Sequence, residues 1–117
     1  MQELAERYIA AFNETDPTRR RTLLEQVFTS DGTYTDPNHE LTGVEAIDVA
    51  MAEMQENNPG LRFSLHGPVD SHHDQARFQW YAGTPEQPRA LLGFDVIVTS
   101  DGRIEHVYGF VDAQPAA

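Results

Sequence analysis

The 117-residue sequence contains no cysteine and no lysine. Without cysteine there is no disulfide, no thiolate nucleophile and no cysteine-based metal centre. Without lysine no side chain can form a Schiff base, and all eight basic residues are arginines. Positive charge is scarce throughout: 19 acidic residues against 8 basic ones give a formal net charge of −11. Such a chain repels polyanions, which argues against nucleic acid and anionic membrane as partners. Long apolar runs are missing too, and none approaches the roughly 20 residues that cross a bilayer. Residues 1–7 are charged and amphipathic, unlike a signal peptide, so a cytoplasmic location is expected. The length suits one domain, residues 1–117, with one core over about residues 3–112.

What the sequence does contain is one acid in an improbable place. Leu91–Thr99 reads as a long strand rich in β-formers, with Asp95 at its middle. Leu91, Gly93, Asp95, Ile97 and Thr99 share one face; Leu92, Phe94, Val96 and Val98 share the other. Both faces are mostly apolar, so both are expected to be covered. An ionised, unpaired carboxylate buried there costs several kcal/mol. Asp95 is therefore paired, hydrogen-bonded, wetted by a cavity, or protonated.

The other elements follow from periodicity and punctuation. Glu3–Asn13 reads as a helix with Leu4, Tyr8, Ala11 and Phe12 on its buried stripe. Asp16 and Pro17 start a second helix to about Phe28, with Arg19, Arg20 and Arg21 expected in solvent. Ser30–Gly32 reads as a turn, Thr33–Thr35 as a short strand stopped by Asp36-Pro37, and Asn38–Leu41 as a loop. Thr42 and Glu45 have capping-box spacing before a third helix, roughly Val44–Glu56. Strands follow at Leu61–Leu65, Arg77–Ala82, Leu91–Thr99 and Arg103–Asp112. Gly67-Pro68 marks a break, Ser100-Asp101-Gly102 a hairpin turn, and Ala113–Ala117 a frayed tail. Segregated helices and antiparallel strands imply an α+β fold.

Arg7-Tyr8-Ile9, the run Thr29–Pro37, Thr42-Gly43 before a helix, Phe94-Asp95-Val96 and Asp101-Gly102-Arg103-Ile104 occur in an order that resembles the nuclear transport factor 2-like superfamily. The resemblance covers about residues 3–112 and implies a cone: a strongly bent mixed or antiparallel sheet wrapped around three N-terminal helices. Within that superfamily the chain is similar to ketosteroid isomerase and the small polyketide cyclases. The first of these implies an oxyanion hole from Tyr8 and Asp95 and a proton-shuttling base at Asp36. The idea of a carboxylic acid kept protonated in an apolar site also comes from the resemblance, ketosteroid isomerase being its standard example. The cyclases imply acid–base work by Asp95. The chain departs from the isomerase pattern in its short Asn38–Leu41 stretch, and in Phe28 and Met51 where some isomerases place supporting tyrosines. A limonene epoxide hydrolase pattern would need an arginine in the cavity, from Arg62 or Arg77.

Bland readings stand beside these. Asp95 could be a structural acid, Asp36 a turn cap, and Tyr8 a core tyrosine. His72-His73 with Asp70 and Asp74 invites a metal, but neighbours on a strand point to opposite faces, so no metal is expected. His39 and His66 show no ligand spacing; His106 alternates with Ile104 and Tyr108 and suits an interface. The resulting expectation is a cofactor-independent enzyme of isomerase or cyclase type, moving a proton on an apolar carbonyl compound in a hydrophobic cavity. The catalytic candidates are Asp36, Asp95 and Tyr8; Phe12, Phe28, Met51, Met54 and Trp80 are the candidate substrate contacts. The outer sheet face, with Ile104, Tyr108 and Phe110 or their alternates, is expected to pair in a homodimer. A non-catalytic ligand-binding protein and a dimeric scaffold are the alternatives.

Overall fold

The computed structural model describes residues 1–113, the last of them by its backbone alone. Two helices come first, α1 (Gln2–Asn13) and α2 (Pro17–Val27), then strands β1 (Phe28–Asp36) and β2 (His39–Thr42) and helix α3 (Val44–Asn57). Four long strands complete the fold: β3 (Arg62–His72), β4 (Gln75–Gly83), β5 (Leu91–Ser100) and β6 (Arg103–Ala113). They form one mixed, unclosed sheet in the order β2-β1-β6-β5-β4-β3. Every neighbouring pair is antiparallel except β1 and β6, which run parallel. This is the expected α+β cone, with three helices against the inner face of a bent sheet. No described helix is long and apolar enough to cross a membrane.

The helices start and stop where side chains dictate. The stripe of α1 is buried as its spacing requires, including Leu4, Tyr8, Ala11 and Phe12. Asp16 caps α2, its Oδ2 accepting the Arg19 N–H at 2.9 Å, and Pro17 occupies the first turn. The capping box expected at Thr42 does not form: Gly43 occupies the N-cap with φ of 92° and no side-chain cap. Thr42 is instead held in β2, opposite Thr33.

Four further expectations fail for identifiable reasons. The Ser30–Gly32 turn is an irregular stretch of β1, and the Asn38–Leu41 loop is mostly β2. Both are polar and lie at the sheet's edge side, where strand periodicity is weak. β3 likewise continues through Gly67-Pro68, whose break is absorbed as a register shift between His66 and Asp70. Ile104 points inward and is fully buried, although parity groups it with the exposed Tyr108 and Phe110. The cause is one extra residue, Glu105: Thr99 pairs with Ile104 but Val98 with His106. The bulge flips the alternation, so Ile104 and Val107 both enter the core.

Arg20 is the largest departure from the expected charge pattern. It is buried rather than solvated, and its guanidinium donates to Asp48 Oδ1 at 2.7 Å and Gln55 Oε1 at 2.9 Å on α3. The parity argument about His72 and His73 also fails, because His73 sits in the β3–β4 turn with φ of 54°. Its ring therefore meets His72, Nδ1 to Nδ1 at 3.0 Å. The expectation for the tail falls beyond the described residues, apart from the backbone of Ala113.

Candidate functional site

Asp95 points from the middle of β5 into the core side of the sheet and is only 4% exposed. Two donors meet it there. The Tyr8 hydroxyl of α1 donates to Oδ2 at 2.8 Å, and the Trp80 indole N–H of β4 donates to Oδ1 at 3.0 Å. Two glycines clear space around the carboxyl and the indole. Gly93 pairs directly with Trp80, and a Cβ at Gly93 would run into the indole ring and the Phe110 carbonyl. Gly109 pairs with Asp95 itself, and a Cβ there would sit 2.9 Å from Asp95 Oδ1 and 3.4 Å from Asp36 Cβ.

Burial pushes the Asp95 carboxyl up from its ordinary 3.8 to about 6. The hydrogen bonds from Tyr8 and Trp80 pull it back, and the charge of Asp36 adds a smaller upward push. Burial, then the Asp95 charge, holds the Tyr8 phenol well above its ordinary 10, so Tyr8 stays a donor. Tyr34 is pushed up for the same two reasons, burial foremost.

Asp36 ends β1 and shares the cavity. Its Oδ2 accepts the Tyr34 hydroxyl at 2.7 Å; its Oδ1 accepts the Asn38 N–H at 2.8 Å. The same Oδ1 lies 2.9 Å from His39 Nδ1, which is therefore the protonated ring nitrogen. The two residues face each other across the β1–β2 hairpin, closed by Pro37 and Asn38.

A cavity of about 350 Å³ lies between the sheet, α1 and α3. That volume falls in the range of small-molecule sites. Tyr8, Phe12, Asp36, Met54, Trp80 and Asp95 all line it, so the three candidate catalytic residues face one space. Phe28 and Met51 do not line it. Both are fully buried in the filled core, Phe28 with its ring edge-on to Tyr8 at 6.1 Å. The cavity opens along the C-terminal half of α3, past Ala50, Glu53 and Met54, while Met51 faces the packed side. Tyr34, His39 and Phe63 line the cavity and were not among the sequence candidates. Alternation along Leu61–Leu65 places Phe63 inward, and Asp36-Pro37-Asn38-His39 has the spacing of a tight hairpin; those were the available signals.

The local chemistry differs from the oxyanion hole that the resemblance implies. There a phenol and a carboxylic acid both point at the ligand; here the phenol points at the carboxyl. Among the described residues, no arginine lines this cavity. Arg62 is exposed, and Arg77 is exposed and paired with Asp70 at 3.2 Å, so the epoxide hydrolase set is not assembled.

Comparison with known proteins agrees with the fold. The SnoaL-like domain matches residues 5–107. A structure described as a candidate isomerase of the SnoaL-like family, from Agrobacterium tumefaciens, is 35% identical with a TM-score of 0.90. The match covers 95% of this chain and 96% of that one. A protein of ketosteroid isomerase-like fold from Catenulispora acidiphila, solved with trimethylamine, is 21% identical with a TM-score of 0.75, over 92% of this chain and 83% of that one. A candidate SnoaL-like polyketide cyclase from Jannaschia is 16% identical with a TM-score of 0.70, over 93% and 85%. The last two likenesses speak for the fold alone. No functionally curated protein matches the sequence. A matched domain that spans most of the sequence, and a 35% identical relative covered almost end to end, place this chain in the SnoaL-like domain family of the nuclear transport factor 2-like superfamily.

Proposed function

We propose that the protein is a cofactor-independent enzyme of isomerase or cyclase type that moves a proton on a mostly apolar carbonyl compound. The observation that carries this reading is Asp95: a carboxyl buried at the wall of an open cavity, where burial pushes it up to about 6. General acid–base catalysis works best when the group titrates near the working pH and contributes about 10²–10⁴-fold. Asp95 then takes the α-proton, and Tyr8 and Trp80 fix its orientation. Asp36 was the expected base, but its oxygens already accept three hydrogen bonds, so the proton-transfer role moves to Asp95. The substrate is a small hydrophobic molecule, and aromatic walls such as Phe12, Phe63 and Trp80 suit it.

Incubating the protein in ²H₂O with a panel of cyclic ketones tests the assignment by α-deuterium incorporation. Asp95→Asn is expected to abolish incorporation while ketone binding persists. Binding without incorporation by the wild type favours the second reading, a non-catalytic ligand carrier. The hydrogen bonds that both acids already accept from protein groups give that reading its support. A homodimer through the outer sheet face belongs to the same proposal, because Tyr108 and Phe110 on that face are both over two-fifths exposed. The cytoplasm remains the proposed location.

A further inference from the structure

Asp36 and His39 make a bonded pair in the cavity wall to which the preceding reading gives no task. We propose that His39 is the second proton-transfer group of this cavity, acting through Nε2, and that Asp36 is its positioning residue. The inference rests on the reading of the cavity as a proton-transfer site.

The geometry holds the imidazole from several sides. The Pro37-Asn38 turn sets Asp36 and His39 opposite each other as paired residues. The Tyr34 hydroxyl holds Asp36 Oδ2, and Oδ1 accepts both the Asn38 N–H and His39 Nδ1–H. The Tyr34 ring stands edge-on to the imidazole, centroids 6.3 Å apart. With Nδ1 committed, the ring's remaining nitrogen is Nε2, which has no protein hydrogen-bond partner among the described residues. The side chain is 28% exposed and lines the same cavity as Asp95. Gly109 lies beside both acids and puts no side chain between them. A carboxylate that fixes one imidazole nitrogen, and thereby the tautomer, leaves the other to give or take a proton.

Two proton carriers on one ligand suit a transfer between separated atoms. In the active form one proton is shared over the two groups: Asp95 ionised, His39 protonated. For a β,γ-unsaturated ketone, the Asp95 carboxylate takes the proton from the α-carbon. The electron pair of that C–H bond forms the dienolate, and the γ-carbon takes the Nε2 proton of His39. The double bond moves into conjugation, leaving Asp95 protonated and His39 neutral. Solvent at the cavity mouth returns the proton from one to the other, and no oxidant or co-reactant is needed.

The test uses cyclohex-3-en-1-one in ²H₂O and, as a ligand that is not turned over, 2-naphthol. The ring tautomer of His39, read from long-range ¹H–¹⁵N correlations, is expected to be Nδ1–H, and Asp36→Asn should shift it toward Nε2–H. Binding of 2-naphthol should move both the single indole resonance, Trp80, and the His39 Nε2 resonance. His39→Gln should slow formation of the conjugated ketone about 100-fold, more than it slows α-deuterium incorporation. Asp36→Asn should slow the same step about tenfold with KM little changed. If His39→Gln leaves the ratio of incorporation to isomerisation unaltered, or 2-naphthol moves Trp80 but not Nε2, the His39 proposal is overturned and the Asp95 reading survives. If no ketone exchanges with the wild type, the enzyme reading is overturned and proton transfer by His39 goes with it.

Discussion

Gly109 faces Asp95 across the β5–β6 pairing, and the side chain it lacks is the space in which Asp95 and Asp36 reach the cavity together. A methyl group there would press on Asp95 Oδ1 at 2.9 Å, closer than real Cβ contacts come, and on Asp36 Cβ at 3.4 Å. Gly109→Ala is therefore expected to destabilise the fold by about 1–3 kcal/mol, the usual cost of overpacking. It should also displace the Asp95 carboxyl from Tyr8 and Trp80. Urea unfolding reads the first effect, and the Trp80 indole resonance reads the second. A variant with wild-type stability and an unmoved indole would mean that the backbone yields at Gly109 without disturbing the acids.

The forces on Asp95 oppose each other, so two variants should move it in opposite directions. The Trp80 N–H favours the ionised carboxyl, and Trp80→Phe removes it; Asp95 should then titrate above about 6. The charge of Asp36 disfavours ionisation, and Asp36→Asn removes that; Asp95 should then titrate below about 6. Carboxyl ¹³C shifts followed against pH measure both. Movement in the same direction would contradict this balance of burial, hydrogen bonds and charge.

How much of this site could be read from the sequence depended on what each residue's neighbours revealed. Asp95 stood out because an acid in the middle of an apolar strand demands an explanation, and Tyr8 because it lay on an otherwise apolar stripe. Alternation says which face of an element turns inward, but not whether the inside is filled or hollow. Phe28 and Met51 were inward as expected yet face packed core rather than the cavity. His39 was overlooked because its partner lies just three residues back, through a turn that read as a loop. Ile104 shows a different limit: one bulge residue, Glu105, reverses parity, and nothing local in the sequence marks it.

Arg20 shows the limit for charge. Three consecutive arginines on a weakly amphipathic helix look like a solvated face, yet the middle one bridges α2 to Asp48 and Gln55. The pair holds a charge that is nearly out of solvent, 4% exposed on the arginine side chain and 19% on the aspartate. Removing one partner strands the other, so Arg20→Ala should cost about 3–5 kcal/mol. Arg19→Ala, with that side chain 74% exposed, should change stability by less than about 1 kcal/mol. Denaturant midpoints of the two variants check the contrast. Equal, small effects would show that Asp48 finds water or another donor once Arg20 is gone.

The raised Asp95 carboxyl also has a consequence for folding. The folded protein holds the Asp95 proton up to about pH 6, whereas an unfolded chain releases it near the ordinary 3.8. Between these values the folded state binds more protons, so unfolding free energy falls as pH rises. The contribution is fully present below about pH 3.8 and has been lost once pH passes about 6. Its size, from the gap between those values, is on the order of 3 kcal/mol. Asp95→Asn removes the titration, though its amide must place a donor against the Tyr8 or Trp80 donor, which lowers stability at every pH. The informative quantity is thus the slope, not the level. Urea midpoints at pH 4, 5, 6 and 7 should show the wild type losing stability relative to Asp95→Asn as pH rises. A difference that stays flat over that range would mean that Asp95 titrates alike in the folded and unfolded chain, and the cavity would then lack the poised carboxyl on which its proposed chemistry depends.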